Sequence, residues 1–336
     1  INSILEQQSK LSRVSMQISS GMRILAPADD PSGAVQRLEL NQGIDTLEQY
    51  KKNGFLAEGR LELEEATLKQ VEDVLMRARE LAVQGNNATL SREDRGFLAA
   101  ELRQRLDELQ GLANTRDANG EFIFAGFHSL TEPFSQTVGG TYQYYGDSGQ
   151  RLLQISANRQ LAIGDPGSQV FMEIPNGNGT FSTLDSPANT GTGIIAPGTV
   201  VDQSLWAPDT YTITFDTSSG TTTYDVDGVV SGNLINDAVY SSGTAIQFNG
   251  IEVVIDGAPA MGDSFTVQSS VSQDMFTTLQ NMIAALEMPR SNDVDRTASN
   301  NAFNRVMVDL DQAMEQVLDI RAGVGARLQT LDAQAE

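Results

Sequence analysis

The chain contains no cysteine, one histidine, one tryptophan and only 6% aromatic residues. Without cysteine there is no disulfide, no thiol nucleophile and no thiolate metal ligand. His128 alone cannot build an H-E-x-x-H zinc site, and Asp, Glu and carbonyl oxygens are left as the main metal donors. A Ser-His-Asp triad would have to use His128, and no G-x-S-x-G turn lies near it. These scarcities point away from an enzyme, and no cofactor, metal or small-molecule substrate is expected. No run of 18 apolar residues is present, and no basic-then-apolar leader marks a signal peptide. The chain begins at Ile1 rather than Met, so we expect a piece of a longer protein.

Positive charge is scarce overall and absent locally. Against 44 Asp and Glu there are 22 Lys and Arg, a formal charge of -22 over 336 residues. Such a surface repels phosphate backbones and anionic lipid, which removes nucleic acid and membranes as expected partners. Between Gln160 and Pro289 there is not one Lys or Arg, and six of the ten prolines lie between Pro166 and Pro259. That change in composition marks a domain boundary.

Within this cation-free stretch, Tyr211, Ile213 and Phe215 alternate with Thr, and a polar turn at Asp216 to Gly220 leads to a second alternating run through Tyr224 and Val226. The pattern predicts a hairpin. A second hairpin is predicted at Ile246 to Val253, where Asn249-Gly250 suits the two positive-φ positions of a type I′ turn. Asp225-Val226-Asp227-Gly228 has the alternating carboxylates of a calcium loop but lacks its later ligands, and is expected to be a hairpin turn. Asp29-Asp30 is expected to cap a helix rather than to bind a metal.

Both flanks carry helical rhythm. Leu61, Leu68, Val71, Leu75, Ala78 and Ala82 fall in steps of three and four broken by Glu64. Phe303, Met307, Leu310, Met314, Val317, Val324, Leu328 and Leu331 do so with Arg321 as the interruption. Asp30-Pro31 supplies an N-cap and a proline at the first helical position, and Ser91 with Asp94 forms a capping box. A helix from Pro31 to Gln84 would be roughly 80 Å long at about 1.5 Å per residue. Gly43, Gly54 and Gly59 are expected to weaken its first half, and Gly85-Asn86-Asn87 to turn the chain into an antiparallel partner.

Because one seam precedes the β-rich stretch and the other follows it, the two must meet in space. The expected fold is α+β. A long antiparallel, coiled-coil-like helical rod, residues 1–165 with 270–336 and including a β-hairpin region at 120–163, carries an inserted all-β domain at 166–269. Gly164 to Gly167 is the expected hinge out of the rod, and Pro259 to Asp263 the start of the return. The seam residues Leu68, Val71, Leu75, Ala78, Ala82, Phe303, Met307, Leu310, Met314, Val317, Val324, Leu328 and Leu331, together with the ends of the rod, are the expected assembly surface.

Leu11-Ser12-Arg13-Val14-Ser15-Met16-Gln17-Ile18-Ser19-Ser20-Gly21-Met22-Arg23-Ile24, followed by Ala28-Asp29-Asp30-Pro31-Ser32-Gly33-Ala34, resembles the N-terminal signature of bacterial flagellins. Arg77 to Gln84 with Ser91, Asp94 and Glu101, and Arg321 to Arg327 near the end, resemble two further blocks of that family. Asn119 to Gly126, Tyr144-Tyr145-Gly146-Asp147 and Gly177 to Phe181 resemble the members that join the flagellar hook to the filament more than those that form the filament.

The resemblance implies a secreted structural subunit of the bacterial flagellum. It would be exported unfolded through the flagellar channel without a cleaved signal, and would assemble by helix packing at the hook-filament junction. Its implied partners are its own copies in a ring, the adjoining hook-associated protein, filament flagellin and a flagellar export chaperone. Arg77, Leu81 and Glu101 align with flagellin residues that an innate immune receptor reads. Filament flagellin is the alternative reading. A surface adhesin using the β insert is another, in which Trp206 would stack on a sugar instead of anchoring a core.

Overall fold

The computed structural model describes residues 2–25 and 30–335. Ala28 and Asp29 of the N-terminal signature lie outside the described residues. Helix α1 (Asn2–Ser20) is followed by Gly21 in the left-handed region at φ 67°. Helix α2 (Pro31–Gly85) starts where Asp30, in extended conformation, accepts the Gly33 N–H at 3.0 Å with Pro31 next in line, so an orphan donor of the first turn is satisfied. The helix runs unbroken through Gly43, Gly54 and Gly59; three isolated glycines weaken a helix by about 1 kcal/mol each without ending it.

Helix α3 (Arg92–Ala113) opens on the reciprocal Ser91 and Asp94 capping box and packs beside α2. The chain then forms two short antiparallel pairs, β1 (Phe134–Gln136) with β2 (Tyr142–Tyr144) and β3 (Leu152–Ser156) with β4 (Arg159–Ala162). Asn53 of α2 donates to the Gln154 carbonyl at 2.7 Å and pins the second pair to the rod. A π-helical turn (Ser168–Met172) and β5 (Ile174–Pro175) follow.

Ten further strands complete the sheets: β6 (Phe181–Asp185), β7 (Ile194–Ile195), β8 (Thr199–Val200), β9 (Thr210–Asp216), β10 (Thr223–Gly228), β11 (Gly232–Val239), β12 (Ala245–Phe248), β13 (Ile251–Asp256), β14 (Ser264–Ser269) and β15 (Ser272–Gln273). One antiparallel sheet has the order β11-β10-β9-β14-β6; a second has β12-β13-β7, with β8 also on β13. Both predicted hairpins are present, and Asn249 and Gly250 take φ 42° and 77° between Phe248 and Ile251. Asp225 to Gly228 is strand β10 and not a turn. The polar turn precedes it, and Asp225 and Asp227 accept hydrogen bonds from the Asp237 backbone and the Asn233 side chain of β11.

Helices α4 (Met275–Glu287) and α5 (Asp293–Ala335) return to the rod. Arg79 pairs with Asp311 and Arg321 with Glu65, so α5 runs antiparallel to α2. Arg95, buried on α3, donates to the carbonyls of Leu286 and Met288 at 2.9 and 2.8 Å. A cation thereby satisfies the negative C-terminal end of α4.

Two apolar cores result. The first joins the four rod helices α2 to α5 to the hairpin region and includes Val170, Phe171 and Ile174. In it Tyr142 stacks on Phe276 at 4.4 Å, and Phe134 meets Phe171 at 5.2 Å. The second begins with Phe181 and ends with Val267. Tyr211, Ile213 and Phe215 of β9 and Ile251, Val253 and Ile255 of β13 fill it from alternate strand positions.

Candidate assembly surface

The predicted seam residues do come together, but inside one subunit. Leu68, Val71, Leu75, Ala78 and Ala82 are fully buried, as are Phe303, Leu310, Val317 and Val324; Leu331 is buried and Met307, Met314 and Leu328 pack half-buried against them. A core already covered by its own chain offers nothing to a neighbour. The expectation that these residues are the surface of assembly is therefore corrected: they hold the rod together. Burying each Leu, Ile, Val, Phe or Met contributes about 1.5–3 kcal/mol to that rod.

The two polar interruptions are structural as well. Arg321 donates to Glu65 at 2.9 and 2.6 Å and also to Glu72, clamping α5 across two turns of α2. Glu64 is 1% exposed and accepts the Asp165 N–H at 2.9 Å, while Asp165 pairs with Arg327 of α5 and receives Gln150 at 2.7 Å. Burial, with the nearby Asp165 charge, pushes the Glu64 carboxyl up to about 8.

A regularly spaced exposed apolar run lies at the N-terminal end. Ile4, Leu11, Val14 and Ile18 follow a seven-residue stripe on α1, with Leu11 at 73% and Ile18 at 78% exposure. On the first half of α2, Val35, Leu38, Leu40, Ile44 and Leu47 are also exposed, Leu38 to 68%. The antiparallel register set by Arg79 with Asp311 and Arg321 with Glu65 carries the described end of α5 only to the middle of α2. Sequence reasoning pointed to the ends of the rod without naming these residues, because the polar Gln7, Gln8, Ser12 and Ser15 dilute a stripe whose spacing was readable.

The remaining candidates separate. Arg77 donates to Glu101 at 2.7 Å and to Glu80 at 2.8 Å on the rod's flank, while Leu81 is fully buried. These three therefore do not form one exposed patch, because Leu81 faces the seam. His128 is exposed, 3.6 Å from Asp147. Trp206 packs beside Phe181 and Tyr211 at ring distances of 5.6 and 6.2 Å in the second core, the anchor role rather than a free platform. Among the described residues no group of His, Asp and Glu has the arrangement of a metal site, and no helix is long and apolar enough to cross a membrane.

A rod made from the two ends of a chain, with a β domain inserted between them and an apolar stripe exposed at one end, defines an elongated helical protein with an inserted β domain. The bacterial flagellin N-terminal helical region matches residues 1–129. Flagellar hook-associated protein 3 of Escherichia coli (strain K12) is 35% identical over 194 residues, 54% of this chain and 60% of that protein. The chain thus spans less than two thirds of that curated relative's length.

Two solved structures from Legionella pneumophila are each 37% identical. The flagellar hook associated protein-3 has a TM-score of 0.86 over 89% of this chain and 93% of that one. The flagellar junction protein FlgL has a TM-score of 0.83 over 89% and 99%. The chain belongs to the bacterial flagellin family, on its hook-associated protein 3 side. These relatives are named as parts of the flagellum and not as enzymes.

Proposed function

We propose that this chain is a structural subunit of the bacterial flagellum that joins hook to filament. The observation that carries the reading is the likeness at 37% identity, across 89% of this chain and 99% of that one, to a protein described as a flagellar junction protein. The subunit would leave the cell unfolded through the flagellar channel with the help of an export chaperone. It would then form a ring of its own copies between the adjoining hook-associated protein and filament flagellin. The absence of cysteine supports this, since such a chain needs no oxidising folding compartment.

The assembly surface in this reading is the apolar stripe of α1 and the first half of α2. Among the described residues the stripe is largely exposed, and a lone amphipathic helix in water is marginal, so α1 gains stability when a neighbouring helix covers it. The rod then comprises residues up to Pro175 and again from Val271, with the inserted domain from Asn176 to Ser270. That start is ten residues later than the composition boundary at 166, because Val170, Phe171 and Ile174 pack in the rod's core. Arg77 and Glu101 act here as an ion pair of the rod's flank; recognition by a receptor would have to use them without Leu81.

The test is deletion of the gene in its host, followed by electron microscopy and an assay for flagellin in the medium. Hooks without filaments, with flagellin monomers released, are the expected result. Bare hooks with no secreted flagellin would identify the filament protein instead. Intact motile flagella would overturn the flagellar reading.

A further inference from the structure

The inserted domain touches the rod through more than its two connecting strands. Asn301, Arg305 and Asp309 follow one another at four-residue intervals along α5 and therefore share a face. The opposite face carries Phe303, Val306, Leu310 and Val317 into the rod's core. Asn301 is 4% exposed; its side-chain oxygen accepts the Ile195 N–H at 2.9 Å and its amide donates to the Gly193 carbonyl at 3.2 Å. Arg305 reaches Asp185 at the end of β6, 3.2 Å away. Asp309, also 4% exposed, accepts the Gly177 N–H at 2.8 Å.

These contacts grip three separate points of the insert, at residues 177, 185 and 193–195. The connectors are zipped to each other, with Asn176 donating to Val271 and Ser270 to Thr180 at 3.0 and 2.9 Å. A two-stranded link alone leaves a hinge axis about which a domain can swing and twist. Two points far from the connectors, at 185 and at 193–195, anchored on the same helix as the connector-side Gly177, remove both freedoms. Asn301 and Asp309 are buried, and a buried amide or carboxylate loses its water when it forms these bonds, so opening the contact leaves polar groups to be resolvated.

We propose that α5 is a mount that holds the inserted domain in one orientation on the rod, so that bending or twisting of the rod is passed to the insert instead of being absorbed at the connectors. Asn301 and Asp309 are its positioning residues, and Arg305 a more exposed third.

The chain's lack of cysteine allows a direct test by site-directed spin labelling. Gln84→Cys on the rod and Thr221→Cys on the insert, both exposed, would carry the labels, and pulsed electron paramagnetic resonance would read the distance distribution. The parent should give one narrow peak. Asn301→Ala with Asp309→Ala should broaden it at least two-fold, while Asp309→Asn, which keeps an oxygen for the Gly177 N–H, should leave it narrow. A broad parent distribution, or an equally narrow one in the double variant, overturns the mount. If Trp206 fluorescence shows that the double variant has lost the fold of its insert, two glycines added to each connector decide the question. A distribution that stays narrow supports α5 as the mount, and one that broadens assigns the orientation to the connectors and overturns it.

Discussion

Glu64 of α2 accepts the backbone N–H of Asp165 across 2.9 Å and 101 residues of sequence. Beside it the Asp165 carboxylate pairs with Arg327 of α5. The joint therefore holds together the long N-terminal helix, the C-terminal helix and the segment that leaves the rod. With the Arg327 charge already taken by Asp165, the neutral form of Glu64 is favoured in the fold.

This arrangement makes a pH prediction. Because the folded value of Glu64, about 8, lies above the ordinary carboxylate value of 4.5, its contribution is fully present below about pH 4.5 and is lost as pH rises towards 8. Thermal unfolding of Glu64→Gln, which keeps the acceptor for the Asp165 N–H, should lack that loss. The difference in stability between variant and parent should grow in the variant's favour between pH 5 and 8, reaching about 4 kcal/mol. Parallel pH profiles for the two proteins would refute the assignment.

Arg321 clamps the seam from α5 to α2. Arg321→Ala leaves Glu65 and Glu72, one heptad apart on α2, facing each other without a cation, and Glu65 already has one buried oxygen without a partner. Chemical denaturation should show a loss of about 1–3 kcal/mol. A change below about 0.3 kcal/mol would mean that the pair is screened like an ordinary surface bridge.

The division between internal seam and assembly stripe is testable with two substitutions read in two ways. Leu75→Ala, in the fully buried seam, should cost the isolated subunit about 2–5 kcal/mol. Ile18→Asp, on the exposed stripe, should change the subunit's stability by less than about 0.5 kcal/mol but abolish filament attachment when it replaces the native gene. Normal filaments from the Ile18 variant would show that the stripe is not the assembly surface.

Gly250→Ala probes the insert. The residue sits at φ 77°, and an added Cβ would lie 2.2 Å from the backbone oxygen of Asp202, so both strain and a clash with backbone arise. Unfolding of the insert, followed at Trp206, should be easier by about 1–3 kcal/mol, whereas helix content should hold. An unaffected Trp206 transition would contradict the tight Asn249-Gly250 turn.

Much of the architecture was readable along the chain because its signals are local. Asp30-Pro31, the Ser91 and Asp94 box, and Asn249-Gly250 act within four residues, and the three-and-four rhythm of Leu68 to Ala82 needs only helical geometry. The flagellin-like blocks likewise gave the family from contiguous residues. Less readable was the use of each apolar face, since periodicity reports that a face will be covered and is silent on whether the cover comes from the same chain. Leu81 entered the receptor patch on alignment alone, and its burial depends on its position against the rest of the rod.

From sequence alone, then, come the rod, the insert, both hairpins and the absence of cysteine chemistry, all set by composition and by neighbours a few residues apart. The tertiary structure alone decided that the seam is internal, that the stripe of Ile4 to Ile18 is left open, that Glu64 and Arg321 are joints and not defects, and that α5 carries the insert. Each of these depends on pairing residues more than 100 positions apart or on the lack of a partner, and burial and electrostatics act through space without regard to that separation.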